Sequence, residues 1–422
     1  MTDPDKDMTP EHETEVSTSQ LDLFPQRLPG GVQRHASRAA FKMRQDTFGR
    51  AGRPITSLGR IDFDGSERIP NTARFDILRD AIRISDRKNS IQVYSYAPIH
   101  LLRSPGDDPE ARVFNFPLSQ LRGLSHPKLG GTMEWKFNLA EARSKILLEG
   151  AELNLSTFPP TPGLTQGELL DWQDLGEFSP FALMHGLQLT GLVSRKDRDR
   201  PDLETIEIAD WRLRGARPAG IIFTEDPGLA GIRLELNVAV AKALRSVLRC
   251  LTAHEAHFAE ADGHYRISGH SAVGPVICII DKPEHSLPAF DPLIERPLTY
   301  RAQIPTVHLL DRLNWVHSAI EDKDEVVQIK YESPQLKFRA DNRIGPSEKS
   351  LDVSTTDPAA VSSPSWSLNV QLGLLLNIVK GISSSQFVEV GVLEEQRMLR
   401  LHWEDDPVRG WAFLASEAES EN

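Results

Sequence analysis

A chain of 422 residues is long enough for roughly two to four ordinary domains with ample core. Hydrophobic residues make up 39% with no run of about eighteen in a row, so a membrane-spanning helix is excluded. The net charge of −12 argues against a simple nucleic-acid coat, although it leaves room for cations gathered on one surface.

Residues 1–15 are acidic and polar, with no apolar leader. Gln20, Leu21, Asp22, Leu23 and Phe24 follow, between Ser17-Thr18-Ser19 and a stretch at 25–31 bounded by Pro25 and Gly31. No local core can form there, so Leu21, Leu23 and Phe24 are costly in water unless a partner takes them up. Residues 34–60 carry Arg34, Arg38, Lys42, Arg44, Arg50, Arg53 and Arg60 against Asp46 alone. That basic stretch reads either as a contact for DNA backbone or as a solvated linker, within a flexible arm over 1–70.

Beyond the arm one unit recurs, a helix with apolar residues three and four apart followed by alternating strands. The spacing predicts a helix over 72–84 with a strand at 91–102, then a helix over 113–124 with strands at 133–139, 144–148 and 152–157. Pro159-Pro160 closes that pair. The third unit has a helix at 181–193 and strands at 205–209 and 220–223. The fourth has a strand at 233–237, a helix at 238–251 and strands at 257–261, 265–268 and 276–280. After Leu287-Pro288 a helix is expected at 305–317 with strands at 325–332, 335–341 and 349–354. The last unit has a helix at 368–382 and strands at 387–393, 398–403 and 411–415. One helix over one small sheet is too little core to stand alone, whereas two units side by side make a domain. The fold class is therefore α+β, with six units in three similar domains at 71–165, 166–295 and 296–416 and an acidic tail at 417–422.

Two resemblances sharpen this reading. Residues 20–24 resemble the peptide by which bacterial replication proteins dock on the DNA polymerase III sliding clamp, in which the glutamine amide orients and the Leu-Phe pair fills an apolar cleft. The six-unit plan is similar to the sliding clamp itself. Residues 302–313 (AQIPTVHLLDRL), 335–342 (QLKFRADN), 367–376 (SLNVQLGLLL) and 151–160 (AELNLSTFPP) carry that likeness. The resemblance implies a sliding-clamp architecture whose helices line a hole for double-stranded DNA, held without sequence preference. Arg74, Arg79 and Arg83 on the first helix, Arg245 and Arg249 on another, and Arg122, Lys128 and Arg312 in or near others are then the expected phosphate contacts. The expected partners are DNA and the host clamp, with a homodimer as one way for the body to close.

The chain departs from that family at two places. It lacks the apolar and basic terminal segment of the partner-peptide pocket, and its final strand instead leads into an acidic tail. Asp262-Gly263-His264-Tyr265-Arg266 resembles a pocket string but reads as a hairpin turn. A clamp-like body without its own pocket, bearing a docking peptide, implies a client of the host clamp rather than its replacement. A plasmid or phage initiator that recruits the clamp, and a clamp inhibitor, remain alternatives.

Chemistry for catalysis is not visible. No phosphate-binding Gly-rich loop, dinucleotide fingerprint or nucleophile elbow occurs, and His254 and His257 lack the spacing of a zinc protease. The two cysteines, Cys250 and Cys278, allow at most one disulfide and no cysteine-only zinc site. The expectation is a reduced, cytoplasmic protein that is not an enzyme and needs no metal or other cofactor.

Overall fold

The computed structural model describes residues 38–417, apart from 59–71, 89, 104–112, 125–130, 139–142, 149, 158–169, 195–198, 253, 321–325, 343–344, 356–364, 394 and 396. Six copies of one unit, a strand, a helix and three strands, follow one another among these residues. The first is β1 (Arg38–Arg44), α1 (Gln45–Leu58), β2 (Thr72–Ile77), β3 (Ala81–Lys88) and β4 (Ile91–Pro98), extended by β5 (His100–Arg103). The second is β6 (Val113–Pro117), α2 (Leu118–Leu124), β7 (Thr132–Asn138), β8 (Arg143–Leu148) and β9 (Ala151–Ser156). The third is β10 (Gln173–Phe178), α3 (Pro180–Thr190), β11 (Thr205–Ala209), β12 (Arg212–Arg217) and β13 (Gly220–Glu225). The fourth is β14 (Leu234–Asn237), α4 (Val238–Leu248), β15 (Ala256–Ala261), β16 (His264–His270) and β17 (Pro275–Asp281). The fifth is β18 (Tyr300–Pro305), α5 (Thr306–Ser318), β19 (Val326–Glu332), β20 (Gln335–Asn342) and β21 (Gly345–Asp352), with a short β22 (Ser354–Thr355). The sixth is β23 (Trp366–Gln371), α6 (Leu372–Gly381), β24 (Phe387–Leu393), β25 (Met398–Asp405) and β26 (Val408–Ala415).

Neighbouring units exchange their leading strands. β1 pairs with β7 of the second unit, and β6 pairs with β2 of the first. The same exchange ties β10 to β15, β14 to β11, β18 to β24 and β23 to β19. Two units thus share backbone hydrogen bonds as well as a core, which is why a domain needs both. The pairs are in turn joined edge to edge, β4 to β17 and β13 to β26, both antiparallel. The outcome is an eight-stranded sheet β10-β15-β16-β17-β4-β3-β2-β6 and a nine-stranded sheet β14-β11-β12-β13-β26-β25-β24-β18-β22. A five-stranded sheet β5-β1-β7-β8-β9 and a four-stranded sheet β21-β20-β19-β23 complete the set.

The helices pack as couples, α1 with α2, α3 with α4 and α5 with α6, and α1 also packs on α4. Strand alternation decides what lies beneath them. Phe75, Ile77, Ile82, Ile84, Ile91 and Val93 are buried in the core under α1, while Arg74, Asp76 and Arg83 take the other face. On the nine-stranded sheet Ile222, Ala412 and Leu414 point to the helix side. Ile221, Phe223, Trp411 and Phe413 form a separate cluster on the opposite face, partly covered by Leu287, Phe290, Leu293 and Ile294 of the segment joining the fourth and fifth units. That segment is fastened where Asp291 pairs with both Arg212 and Arg214.

Three sequence expectations change. Residues 38–58, placed in the arm, form β1 and α1. Gly49, Gly52 and Pro54 are poor helix formers and hid the helix, which stands because Phe48, Ala51, Ile55 and Leu58 are fully buried. The segment 72–84 is no helix. Phe75 and Ile77 alternate into the core before Leu78, Arg79 and Asp80, Ile82 and Ile84 alternate after them, and β2 and β3 form a hairpin. Residues 113–117 and 368–371, read as starts of helices, are the exchanged strands β6 and β23. The helices at 180–190, 238–248 and 306–318 and most following strands lie where the periodicity put them. β12 escaped notice because Arg212, Arg214 and Arg217 break its apolar alternation. No described helix is long and apolar enough to cross a membrane.

Candidate nucleic-acid interface

The face of the helix layer turned away from the sheets is the candidate surface. On α1, Arg50 and Arg53 are exposed one turn apart. On α4, Asn237 caps the helix by accepting from the Ala239 amide at 2.9 Å, and Val240, Ala241, Leu244 and Val247 take the buried side. Lys242, Arg245 and the C-capping Arg249 therefore fall on one outward stripe. α1 packs on α4, and Arg53 lies close enough to the end of α4 to act on Cys250, the residue after Arg249. Burial raises the Cys250 thiol above its usual value, and the Arg53 guanidinium acts on it in the opposite direction. Burial, and then the neighbouring charge of Arg249, hold Arg245 below its usual range. A cation kept beside another cation, without an acid to relieve it, is unfavourable in the free protein and favourable once an anion arrives.

The other helices are poorer. Arg122 of α2 is exposed and donates to the Thr56 carbonyl at 3.4 Å. Arg312 of α5 lies 3.8 Å from Asp311, and α6 has Lys380 in its last turn. α3 has no Lys, Arg, Asp or Glu, and Phe181 in its first turn is 46% exposed. The helices carry only Asp46, bonded to Arg44 at 3.0 Å, and Asp311 as acids. Among the described residues Arg50, Arg53, Lys242, Arg245, Arg249 and Lys380 form no ion pair, in a chain whose net charge is −12.

Many cations on the sheets are held differently. Arg74 and Arg83 donate to the two oxygens of buried Asp76 at 2.9 and 2.8 Å, and Arg83 also lies over the Tyr94 ring. Arg212 bridges Glu225 and Asp291, Arg214 bridges Asp291 and Glu207, and Arg409 joins Glu225. Arg400 and Arg301 share Glu389, and Lys330 and Lys337 share Glu332. These side chains neutralise neighbouring strands and have little charge to offer a ligand.

The expected DNA contacts therefore divide. Arg122, Arg245, Arg249 and Arg312 stand on or at the end of helices. Arg74 and Arg83 lie on β2 and β3, and Arg79 in the turn between them, so this trio does not belong to a helix. Lys128 and the docking residues Gln20, Leu21, Asp22, Leu23 and Phe24 lie outside the described residues. Lys242 and Lys380 were missed; Lys242 is legible as three residues before Arg245 on the same apolar-backed helix. Asp262-Gly263 is the β15–β16 hairpin turn, with Gly263 at φ 68°. The corresponding turn of the third unit, between β11 and β12, is Asp210-Trp211, both in the left-handed region. Cys250 and Cys278 are free thiols. His257 faces Glu177 at 3.4 Å, and no group of three His, Cys, Asp or Glu that could hold a metal occurs among the described residues.

No protein-family model matches the chain, and no curated protein matches it. Solved structures do. The chain superposes on the beta sliding clamp of Caulobacter crescentus with a TM-score of 0.74 and 12% identity, over 91% of this chain and 100% of that one. It matches a putative DNA polymerase III beta subunit from Eubacterium rectale (TM-score 0.73, 9% identity, 90% and 99% covered). It also matches the beta subunit from Thermotoga maritima (TM-score 0.71, 12% identity, 90% and 100% covered). Identity this low speaks to architecture alone, and the architecture is that of the sliding clamp.

Proposed function

We propose that the protein is a noncatalytic DNA replication or repair accessory. Its clamp-like body holds duplex DNA against the helix layer, without reading sequence, and its arm docks on the host's sliding clamp through residues 20–24. The observation that carries this is the division of charge. Among the described residues, arginines and lysines without an ion pair gather on helices that have almost no acids, while many of those on the sheets are paired. An acidic protein built in this way attracts phosphates to one surface and repels them elsewhere.

β9 and β21 are edge strands, each hydrogen-bonded on one side only among the described residues, like the other strands that end the four sheets. Ala151, Glu152, Leu153 and Asn154 of β9 are all exposed. Bare edges of this kind recruit another strand. A second copy that pairs its β21 with β9 would close the body around DNA. The experiment that tests this is retention on circular plasmid in high salt, before and after linearisation. A closed body stays on the circle and slides off the cut ends. Equal loss from both forms would leave only surface binding.

The docking arm has its own test. Full-length protein is expected to bind a bacterial sliding clamp, and a Leu23→Ala/Phe24→Ala variant to lose that binding, since buried apolar anchors carry most of a peptide's affinity. Unchanged binding by the variant would remove residues 20–24 from the account.

A further inference from the structure

β10 and β15 pair in a register that sets Phe178 opposite Ala256. Two side chains just beyond that pairing are thereby brought together. From Phe178 the chain turns through Ser179 and Pro180 into α3, where Phe181 stands in the first turn, and His254 lies two residues before Ala256. Their ring centroids are 6.3 Å apart and their planes are tilted by 49°. Both sides of the contact are fixed. Ser179 caps α3 by accepting from the Ala182 amide at 3.3 Å, while Leu183 and Leu187 bury the opposite face of the helix. Ahead of His254, the Thr252 amide donates to the His270 carbonyl at 2.9 Å. Phe181 is nevertheless 46% exposed, and His254 is exposed as well.

An exposed phenylalanine alone is ordinary. The surroundings of this one are not. His254 follows α4 by a few residues, so the two rings stand at the end of α4 that carries Arg245 and Arg249. Arg53 of α1 reaches the same end, where it acts on Cys250. α3 has no Lys, Arg, Asp or Glu of its own, and Glu255 beside His254 is exposed. An acid at that point repels a phosphate but not the neutral face of a base. Arginines on one side and uncharged rings on the other are the parts with which sequence-blind proteins hold a single strand, phosphates on the cations and bases on the rings. A duplex cannot use the rings, because its base faces are already stacked on one another. The remaining aromatic side chains of the described helices are committed elsewhere: Phe48 is fully buried, and Trp315 has Lys349 over its ring at 5.1 Å.

We propose that Phe181 and His254 form a stacking platform for an unpaired base of single-stranded DNA, whose phosphates are held by Arg249 and Arg53. The platform lets the body distinguish a duplex that continues into a single strand from one that ends blunt. The inference rests on the reading of the helix layer as a DNA-facing surface.

Two fluorescent probes decide it, titrated with the full chain over a range of salt: a blunt duplex, and the same duplex extended by about ten unpaired thymidines. The parent is expected to bind the extended probe more tightly than the blunt one. Phe181→Ala is expected to weaken binding of the extended probe roughly tenfold and to leave the blunt probe unaffected, while Phe181→Trp restores the preference. The loss is expected to keep its size as salt rises, because stacking releases no counterions, whereas removal of an arginine changes the salt slope. Equal weakening on both probes overturns the platform and makes Phe181 a support of the helix layer. Identical binding of the extended probe by parent and Phe181→Ala also overturns it and leaves the rings to a protein partner. Binding of neither probe by the parent overturns both this inference and the reading beneath it.

Discussion

Removing Arg50, Arg53, Arg245 and Arg249 together, each as alanine, is expected to lower the salt dependence of DNA binding by about three to four in log–log slope and to weaken binding at low salt by roughly a hundredfold or more. Each of these side chains is presented by a helix whose buried face is fixed in the core, and none is paired with an acid among the described residues. A phosphate that meets no arginine keeps its condensed counterion, so the slope reports directly how many phosphates the protein neutralises. Arg87→Ala provides the contrast. Arg87 lies on the face of β3 opposite the helices, 3.3 Å from Asp281, and its removal is expected to leave the slope unchanged. Filter or anisotropy titrations across salt would read both. An unchanged slope in the fourfold variant would show that phosphates do not visit the α1–α4 stripes at all.

How much of this was legible beforehand depends on what kind of pattern carried each element. α3, α4 and α5 could be read because their apolar residues recur over a full helix length and because Ser179 and Asn237 cap two of them. The long outer strands could be read because alternation persists along them. Apart from β14, read at 233–237, the exchanged strands could not. β6, β18 and β23 run directly into their helices with no turn residue between, and five or six residues of alternation dissolve into the helical pattern that follows. α1 failed for the opposite reason. Its sequence, with two glycines, a proline and two exposed arginines, is that of a linker until Phe48 and Ile55 are given a sheet to pack on. The candidate surface inherits that error. Arg50 and Arg53 were visible as charge but not as a helix face, and Arg74, Arg79 and Arg83 were credited to a helix that is a hairpin. Charge density in a sequence says where cations are, whereas only strand pairing shows that Asp76 already holds two of them.

Asp86→Asn is expected to stabilise the first unit at alkaline pH by about 4 kcal/mol, the largest single effect on stability argued for this chain. Asp86 is 8% exposed on β3, in phase with Ile82 and Ile84, so it points into the core beneath α1. Its Oδ2 has no hydrogen-bond partner, and burial pushes its carboxyl from 3.8 up to about 7, against the opposing pull of Lys88 and the Arg87 amide. A folded-state value above the unfolded one means that the native protein holds a proton the unfolded chain has released. Stability therefore falls as pH rises from about 4 to about 7 and stays at its lower level beyond. Asparagine cannot ionise, so its advantage is absent below the window and complete above it. Because the chain contains several domains, the local measurement is the informative one: amide exchange in β3 and β4 at pH 5 and pH 9. Protection in the variant is expected to exceed that of the parent by about a thousandfold at pH 9 and by much less at pH 5. Equal protection at both values would mean that Asp86 stays ionised and solvated in the fold. The position also matters for the surface above it. Charging Asp86 places its cost directly under α1, the helix that presents Arg50 and Arg53, so the same variant is expected to extend DNA binding to higher pH if α1 is the platform that loosens first.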